Sequence, residues 1–248
     1  MAIRNAPIRI AMWSGPRNIS TAMMRSFGAR ADCAVSDEPF YGAFLKHSGE
    51  VHPMGEETIA SMDCDWQSVL KAQSGAAPGD CPIWYQKHMP HHMVGSADLR
   101  DMPDHRHAFL IRAPERVVAS YRAKNELRQP ELLGFKQMRD YYDAACDLAG
   151  EALPIVDSDQ ILNDPKKALS ALCAALGIAW DEAMLAWAKG PHPDDGVWGT
   201  HWYDKVNAST GFGPPQGDLP ELTGAYRDIA AACRDDYDYL HERSLFAA

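Results

Sequence analysis

Short apolar runs recur along the first two thirds of the chain, and stretches with helical periodicity separate them. The apolar runs predict five β-strands, because each is four to six residues long and turn-forming residues lie near most of them. The predicted strands are "IRIAMW" (8–13), "CAVS" (33–36), "CPIWYQ" (81–86), "HAFLIR" (107–112) and "LPIVD" (153–157). The fourth run is almost continuously apolar, which is typical of a strand that is buried on both faces.

Helical patterns follow three of these strands and also close the chain. In the stretch 163–178, for example, Leu169, Leu172 and Leu176 share one face and Gly177 provides a stop signal. The predicted helices cover 20–30, 113–127, 134–152, 163–178 and the C-terminal stretch 218–245. Strands that alternate with helices predict an α/β fold in which a mostly parallel central sheet is flanked by helices on both faces.

The length of 248 residues and the hydrophobic content of 46% suit one core, so we expect a single domain over residues 1–248. A long loop is predicted at 189–217, which is rich in Gly, Pro and aromatic residues. Loops of this length inside a compact domain are usually functional or disordered, and the aromatic residues favour function.

Charge and cysteine content narrow the class of protein. A net charge of −10 argues against a nucleic-acid partner, because binding to a phosphate backbone needs a clustered basic surface. The six cysteines have no C-x-x-C spacing, so we expect reduced thiols. No apolar run reaches the length of a membrane span, and the N-terminal run is too short for a signal peptide. We therefore expect a cytoplasmic protein.

The segment "IAMWSGPRNISTAMM" (10–24) has the order strand, glycine turn, helix N-terminus, which makes an anion cradle. A loop that hydrolyses nucleoside triphosphates reads G-x-x-x-x-G-K-[ST], but here the second Gly and the Lys are absent. This departure argues against ATP hydrolysis. An ordinary strand–turn–helix with a surface arginine is the alternative. The predicted phosphate-binding residues are Gly15, Pro16, Arg17, Asn18, Ile19, Ser20 and Thr21.

A second anion-binding signal lies in "FLIRAPERVVASY", where Arg112 ends a buried strand and Ser120 follows eight residues later. Ligands of open α/β sheets bind at the carboxyl ends of the strands. The guanidinium fork of an arginine at such a position binds two phosphate oxygens at once. We therefore predict that Arg112 and Ser120 bind a phosphate.

At these two motifs the chain resembles the sulfotransferase family, which transfers a sulfonate group from 3′-phosphoadenosine-5′-phosphosulfate. "SGPRNIST" is similar to the family's 5′-phosphosulfate loop, and "IRAPERVVASY" to its 3′-phosphate motif. "DSDQILNDPKKALSALCAALGI" is similar to a segment of bacterial members, and "WSGPRN…DEPFY" to a branch whose substrates are often unassigned. In plants a similar domain occurs beside an aminotransferase-like domain.

The resemblance implies a fold related to P-loop nucleotide kinases, and adenosine 3′,5′-bisphosphate as the product. It also implies that Arg17 matches the family's loop Lys, which stabilises the oxygen that leaves. Since Arg stays protonated, its role would be electrostatic. The implied partner is a small-molecule acceptor with a hydroxyl or amine, and no metal is implied.

Two residues are candidates for the base that takes the acceptor's proton. "QKHMPHH" resembles the family's Lys-Thr-His-Leu-Pro stretch and places His88 at the matching histidine. Glu38 follows the second predicted strand, where some relatives use a glutamate. Of the two we favour His88. Either residue also has a purely structural alternative, because His88 suits a surface or core position and Glu38 can cap the backbone or pair with Arg17.

Other clusters give weaker signals. The spacing of His88, His91 and His92 matches no metal-binding helix, so we expect no metal site. In the long loop the best phosphate ligands by chemistry are Lys205, Asn207, Ser209 and Thr210. Two further functions stay open, a divergent nucleotide-dependent kinase and a non-catalytic nucleotide-binding module. Nothing in the sequence sets the oligomeric state.

Overall fold

A computed structural model describes residues 6–124 and 126–247, and within these residues the strands form one five-stranded parallel sheet. The strand order is β2-β3-β1-β4-β5. The strands are β1 (Ile8–Ser14), β2 (Cys33–Asp37), β3 (Ile83–His88), β4 (His105–Ile111) and β5 (Ile155–Asp157). The predicted α/β class is confirmed, and all five strands lie where the apolar runs predicted them.

Helices fill the connections between the strands. In chain order they are α1 (Ser20–Gly28), α2 (Tyr41–Ser48), α3 (Gly55–Ser61), α4 (Trp66–Gln73), α5 (Pro114–Tyr121), α6 (Phe135–Ala149), α7 (Ser158–Asn163), α8 (Pro165–Ala175), α9 (Gly199–Trp202), α10 (Asp204–Asn207), α11 (Gly224–Ala232) and α12 (Arg234–His241). Short 3₁₀ turns occupy Pro78–Asp80, Pro90–His92, Leu99–Asp101, Pro130–Leu133 and Glu182–Leu185.

Several predicted helices differ in extent from those observed. The helix predicted at 113–127 ends at Tyr121, and Asn125 within that range lies outside the described residues. The C-terminal prediction was wrong in treating one stretch as a single helix, because α11 and α12 are separate. The stretch 189–217 is not a plain loop, since α9 and α10 lie within it. Helices α2, α3 and α4 had no counterpart among the predictions.

The chain forms two compact units that are interleaved in sequence. The first unit contains the residues up to Met12, Thr21–His107 and Asp181–Phe212. The second contains Trp13–Ser20, Ala108–Trp180 and the residues from Gly213 onward. The expectation of a single domain over 1–248 stays a prediction.

In the first unit, β2 and β3 pair in parallel with Asp37 opposite Lys87. The ring of Phe27 stacks on that of Tyr85 at 4.4 Å between centroids.

In the second unit, β4 and β5 pair in parallel, with Ile111 opposite Asp157. Helix α8 begins where the Asp164 carboxylate accepts a hydrogen bond from the backbone of Lys167, and Pro165 occupies the first turn. This capping fixes the register in which Leu169 is fully buried.

All six cysteines are free thiols, and Cys33, Cys173 and Cys233 are buried. Within 6–124 and 126–247, no helix has both the length and the apolar character that crossing a bilayer requires.

We predict that Leu169→Ala lowers the free energy of unfolding by about 2–5 kcal/mol, because it leaves a cavity in a fully packed part of the second unit. Leu148→Ala is the matched control, since Leu148 is 57% exposed and its loss should change stability by less than about 0.5 kcal/mol. Urea unfolding followed by circular dichroism measures both. Equal losses for the two variants would contradict this account of the core.

Candidate functional site

The loop between β1 and α1 has a strained backbone. Arg17 and Ile19 have φ angles of 64° and 57°, and a positive φ is rare for a β-branched residue such as Ile19. A Cβ atom added at Gly15 would lie 3.0 Å from the carbonyl oxygen of Leu133, so the chain passes too closely there for a side chain. Alternation of left- and right-handed residues turns successive backbone N–H groups toward one point, which is an anion-binding arrangement.

Side chains of the second unit hold this loop in place. Asn18 Nδ2 donates to the carbonyl of Leu110 at 3.0 Å, which ties the loop to β4. Arg112 Nη1 donates to the carbonyl of Arg17 at 2.7 Å. Arg17 Nε donates to Ser120 Oγ at 3.0 Å. The structure therefore brings Arg17 of the first sequence motif into contact with Arg112 and Ser120 of the second.

Arg112 has unused capacity to bind an anion. Its side chain is buried, Nη2 donates to Gln216 Oε1 at 2.8 Å, and Nε is buried without a hydrogen-bond partner. Burial lowers the pKa of Arg112 and also that of Arg17, so both cations would be stabilised by an anion. A phosphate fits this chemistry, because its oxygens satisfy an orphaned N–H. We call Arg17, Arg112, Ser120 and Gln216 the arginine cluster.

Arg116 contacts the backbone segment that carries Gln216 of the arginine cluster. Its Nε donates to Asp159 Oδ2 at 2.8 Å, and the guanidinium also donates to the carbonyl of Gly217 at 2.5 Å. Longer contacts of 3.5 Å reach the carbonyls of Gln216 and Asp218. Sequence reasoning missed this residue, and because Arg112 precedes α5 while Arg116 lies in its first turn, no helical spacing links the two.

The first unit contains a second cluster, built around a buried lysine. Lys87 is 1% exposed, and its Nζ lies 2.9 Å from Asp37 Oδ1 and 2.7 Å from Glu38 Oε1. Nζ also donates to the Tyr203 hydroxyl at 2.8 Å, with a longer contact of 3.4 Å to Thr21 Oγ1. The Tyr203 hydroxyl lies 2.7 Å from Asp37 Oδ2. We call Asp37, Glu38, Lys87 and Tyr203 the carboxylate–lysine cluster.

The charges of this cluster do not balance, because two carboxylates share one ammonium. Burial raises the pKa of Glu38, and Lys87 offsets this effect only in part. Burial alone would lower the pKa of Lys87, but Asp37 and Glu38 together raise it well above its ordinary value. Lys87 therefore stays charged, while Glu38 has the raised pKa that suits a proton acceptor.

Comparison with known proteins decides the family. The model of the sulfotransferase domain matches residues 8–244, which is nearly the whole chain. The chain belongs to the sulfotransferase family.

Two curated plant relatives match this sulfotransferase-family chain. It is 33% identical over 244 residues to the branched-chain-amino-acid aminotransferase-like protein 2 of Arabidopsis thaliana, covering 96% of this chain and 43% of that protein. It is 34% identical over 212 residues to the branched-chain-amino-acid aminotransferase-like protein 1 of Arabidopsis thaliana, covering 85% of this chain and 37% of that protein. The chain thus spans about two fifths of the length of these curated relatives.

Solved structures agree with the fold. The sulfotransferase domain of the Synechococcus PCC 7002 olefin synthase has a TM-score of 0.54 at 18% identity, covering 96% of this chain and 97% of that one. A sulfotransferase from Alicyclobacillus acidocaldarius has a TM-score of 0.56 at 12% identity, covering 96% and 95%. At these identities the likeness shows the sulfotransferase fold alone.

The two candidate bases of this sulfotransferase-family protein lie in different surroundings. His88 is the last residue of β3 and is 1% exposed; its ring lies against Phe40 and its Nε2 is 3.1 Å from Gln86 Oε1. Burial lowers the pKa of His88 well below its ordinary value. Glu38 directly follows β2, and its side chain is 10% exposed. The carboxylate is thus the more accessible of the two candidates.

Part of the stretch predicted as a long loop is anchored by hydrogen bonds within the first unit. Arg25 Nη2 donates to Asp195 Oδ2 at 2.6 Å and to Asn207 Oδ1 at 3.2 Å. The backbone N–H of Gly196 donates to Asp37 Oδ2 at 3.2 Å. These anchors explain why the stretch is ordered, and they add a further partner to the carboxylate–lysine cluster.

The phosphate ligands proposed for this stretch lie in varied positions. Asn207 is occupied by Arg25, and Ser209 Oγ donates to the carbonyl of Val206 at 2.7 Å. Lys205 and Thr210 are exposed. A different residue of the stretch, Gln216, belongs to the arginine cluster through its contact with Arg112. In the part of the chain that the structure describes, no three His, Cys, Asp or Glu side chains are grouped as metal ligands.

We predict that Lys87→Met lowers the free energy of unfolding by about 3–5 kcal/mol at neutral pH, because two buried carboxylates lose their cation. A Glu whose folded pKa is raised above its unfolded value of about 4.3 destabilises the fold when it ionises. The loss should therefore be smallest below about pH 4 and should grow as the pH rises through the raised pKa of Glu38.

Lys136→Met is the control, since the Lys136 side chain is 76% exposed and pairs with Asp140 on the surface. Urea unfolding between about pH 3 and pH 8 makes the comparison. A loss for Lys87→Met that is small at every pH would mean that the cluster carries no buried charge.

Proposed function

We propose that this protein is an enzyme that transfers a sulfonate group from 3′-phosphoadenosine-5′-phosphosulfate to a hydroxyl or amine of a small molecule. The observation that carries the proposal is the buried Nε of Arg112, which lacks a partner in a cluster that also contains Arg17 and Ser120. A 3′-phosphate would satisfy that N–H. Membership of the sulfotransferase family supports the same donor.

In this proposal the loop that begins at Gly15 binds the 5′-phosphate. The first N–H groups of α1 have no acceptor within the helix and carry the positive end of its dipole. The acceptor attacks sulfur as the bond between sulfur and the 5′-phosphate oxygen breaks, and the product is adenosine 3′,5′-bisphosphate. Arg17 stabilises the negative charge on the leaving oxygen, so no metal ion is required.

Glu38 is the base that we favour for this reaction. It takes the proton from the acceptor as the new bond to sulfur forms. Its raised pKa, its fixed contact with Lys87 and a side chain that is slightly more accessible than that of His88 support this role. His88 stays the alternative, with burial and a lowered pKa against it. We assign the reaction to the cytoplasm, where the free thiols of the six cysteines would stay reduced.

We predict that the protein binds adenosine 3′,5′-bisphosphate at least about tenfold more tightly than AMP, since charge-assisted contacts to the 3′-phosphate are worth about 1.5–3 kcal/mol each. Arg112→Ala should remove most of this difference; because it also removes the hydrogen bond to the carbonyl of Arg17 that holds the loop, AMP binding should weaken too, but by less. Titration calorimetry with both nucleotides gives the ratio. Arg227→Ala is the control, because Arg227 is 70% exposed and pairs with its neighbour Asp228. Equal affinity of the wild type for both nucleotides would contradict the proposed function.

We predict that Glu38→Gln slows sulfonate transfer by about 10²–10⁴-fold, whereas His88→Asn slows it only a few-fold. Glu38 must be ionised to accept a proton, so the rate should rise with pH. Because its pKa is raised, this rise should lie above the ordinary glutamate value of about 4.3. Donor consumption, measured with an acceptor found by screening small alcohols and amines, tests both variants. The opposite order of effects would assign the base to His88.

A further inference from the structure

The guanidinium of Arg112 has one edge on which a phosphate can bind with two oxygens, formed by Nε and Nη2. The other terminal nitrogen, Nη1, is committed to the carbonyl of Arg17 at 2.7 Å. On the phosphate-binding edge, Nη2 donates to Gln216 Oε1 at 2.8 Å, while Nε has no partner. The amide oxygen of Gln216 therefore already accepts from Nη2, one of the two nitrogens that a phosphate on this edge would use.

The backbone around Gln216 is held independently of its side chain. Arg116 donates to the carbonyl of Gly217 at 2.5 Å and makes longer contacts of 3.5 Å to the carbonyls of Gln216 and Asp218. Arg116 is itself fixed by its ion pair with Asp159 at 2.8 Å. Gln216 is an exposed residue, so its side chain can swing into solvent while residues 216–218 stay in place.

We propose that Gln216 is a specificity-determining residue that competes with the 3′-phosphate of the donor for Arg112. This inference rests on the proposed function. A neutral amide oxygen is a weaker acceptor for a guanidinium than a phosphate oxygen, because only the phosphate bond is charge-assisted. A nucleotide with a 3′-phosphate displaces the amide and binds both Nε and Nη2. A nucleotide without it leaves the amide in place, so Gln216 lowers the affinity for the doubly phosphorylated ligand alone and thereby limits how strongly that ligand is preferred over AMP.

The test uses two substitutions that should act in opposite directions. Gln216→Glu places a carboxylate on Arg112 and beside the incoming phosphate, and it should weaken binding of adenosine 3′,5′-bisphosphate by about tenfold or more. Gln216→Ala removes the competitor and should strengthen that binding about threefold. Neither change should alter the affinity for AMP by more than about twofold, since AMP has no group for this edge of Arg112. Titration calorimetry on the full chain measures all four affinities.

Gln129→Glu is the matched control, because it adds the same charge at an exposed position that precedes a short 3₁₀ turn. It should leave both affinities unchanged.

If Gln216→Ala weakens the bisphosphate as Gln216→Glu does, Gln216 is a ligand of the phosphate and the competition is overturned. If both variants bind like the wild type, Gln216 has no role in selection. Either failure is distinct from that of the proposed function, in which the wild type itself would not distinguish the bisphosphate from AMP.

Discussion

The hydrogen bond from Arg112 to the carbonyl of Arg17 is the contact on which the proposed donor site depends. It joins the end of β4 to a loop that would otherwise relax, because Arg17 and Ile19 both have positive φ angles. Asn18 adds a second tie from the loop to β4. The strained backbone is thereby held in place, and the Nε of the same arginine stays without a hydrogen-bond partner, as the proposed phosphate site requires.

The carboxylate–lysine cluster obeys a different constraint, the cost of burying charge. Lys87 is acceptable inside the first unit only because Asp37 and Glu38 neutralise it, and Tyr203 adds a hydrogen bond. Burial raises the pKa of Glu38, and the second carboxylate, Asp37, raises it further, while Lys87 offsets these effects only in part. A group in that condition is suited to proton transfer, whereas a single balanced ion pair would be only structural.

Much of the fold could be predicted from sequence, because each strand is a short apolar run with distinct ends. Helices α2 and α3 were missed for a physical reason: Phe40 and Met54 precede them and give no side-chain cap. Helix α4 did carry a signal, since Asp65 caps its first turn.

The candidate site, too, could be predicted from the sequence only in part. Local motifs predicted Arg17 and Arg112 as site residues, and Ser120 was predicted because it follows Arg112 by eight positions. The contacts of Gln216 and Tyr203 join positions about one hundred residues apart or more. No local pattern encodes such pairs, because only the folded chain brings them together.

The central claim is that the loop beginning at Gly15 and the edge of Arg112 bind one doubly phosphorylated nucleotide. A crystal structure of the protein with adenosine 3′,5′-bisphosphate tests this most directly. We expect the 5′-phosphate at the loop N–H groups, and the 3′-phosphate on Nε and Nη2 of Arg112, with Gln216 turned away. A nucleotide bound elsewhere, or a 3′-phosphate that points into solvent, would contradict the account.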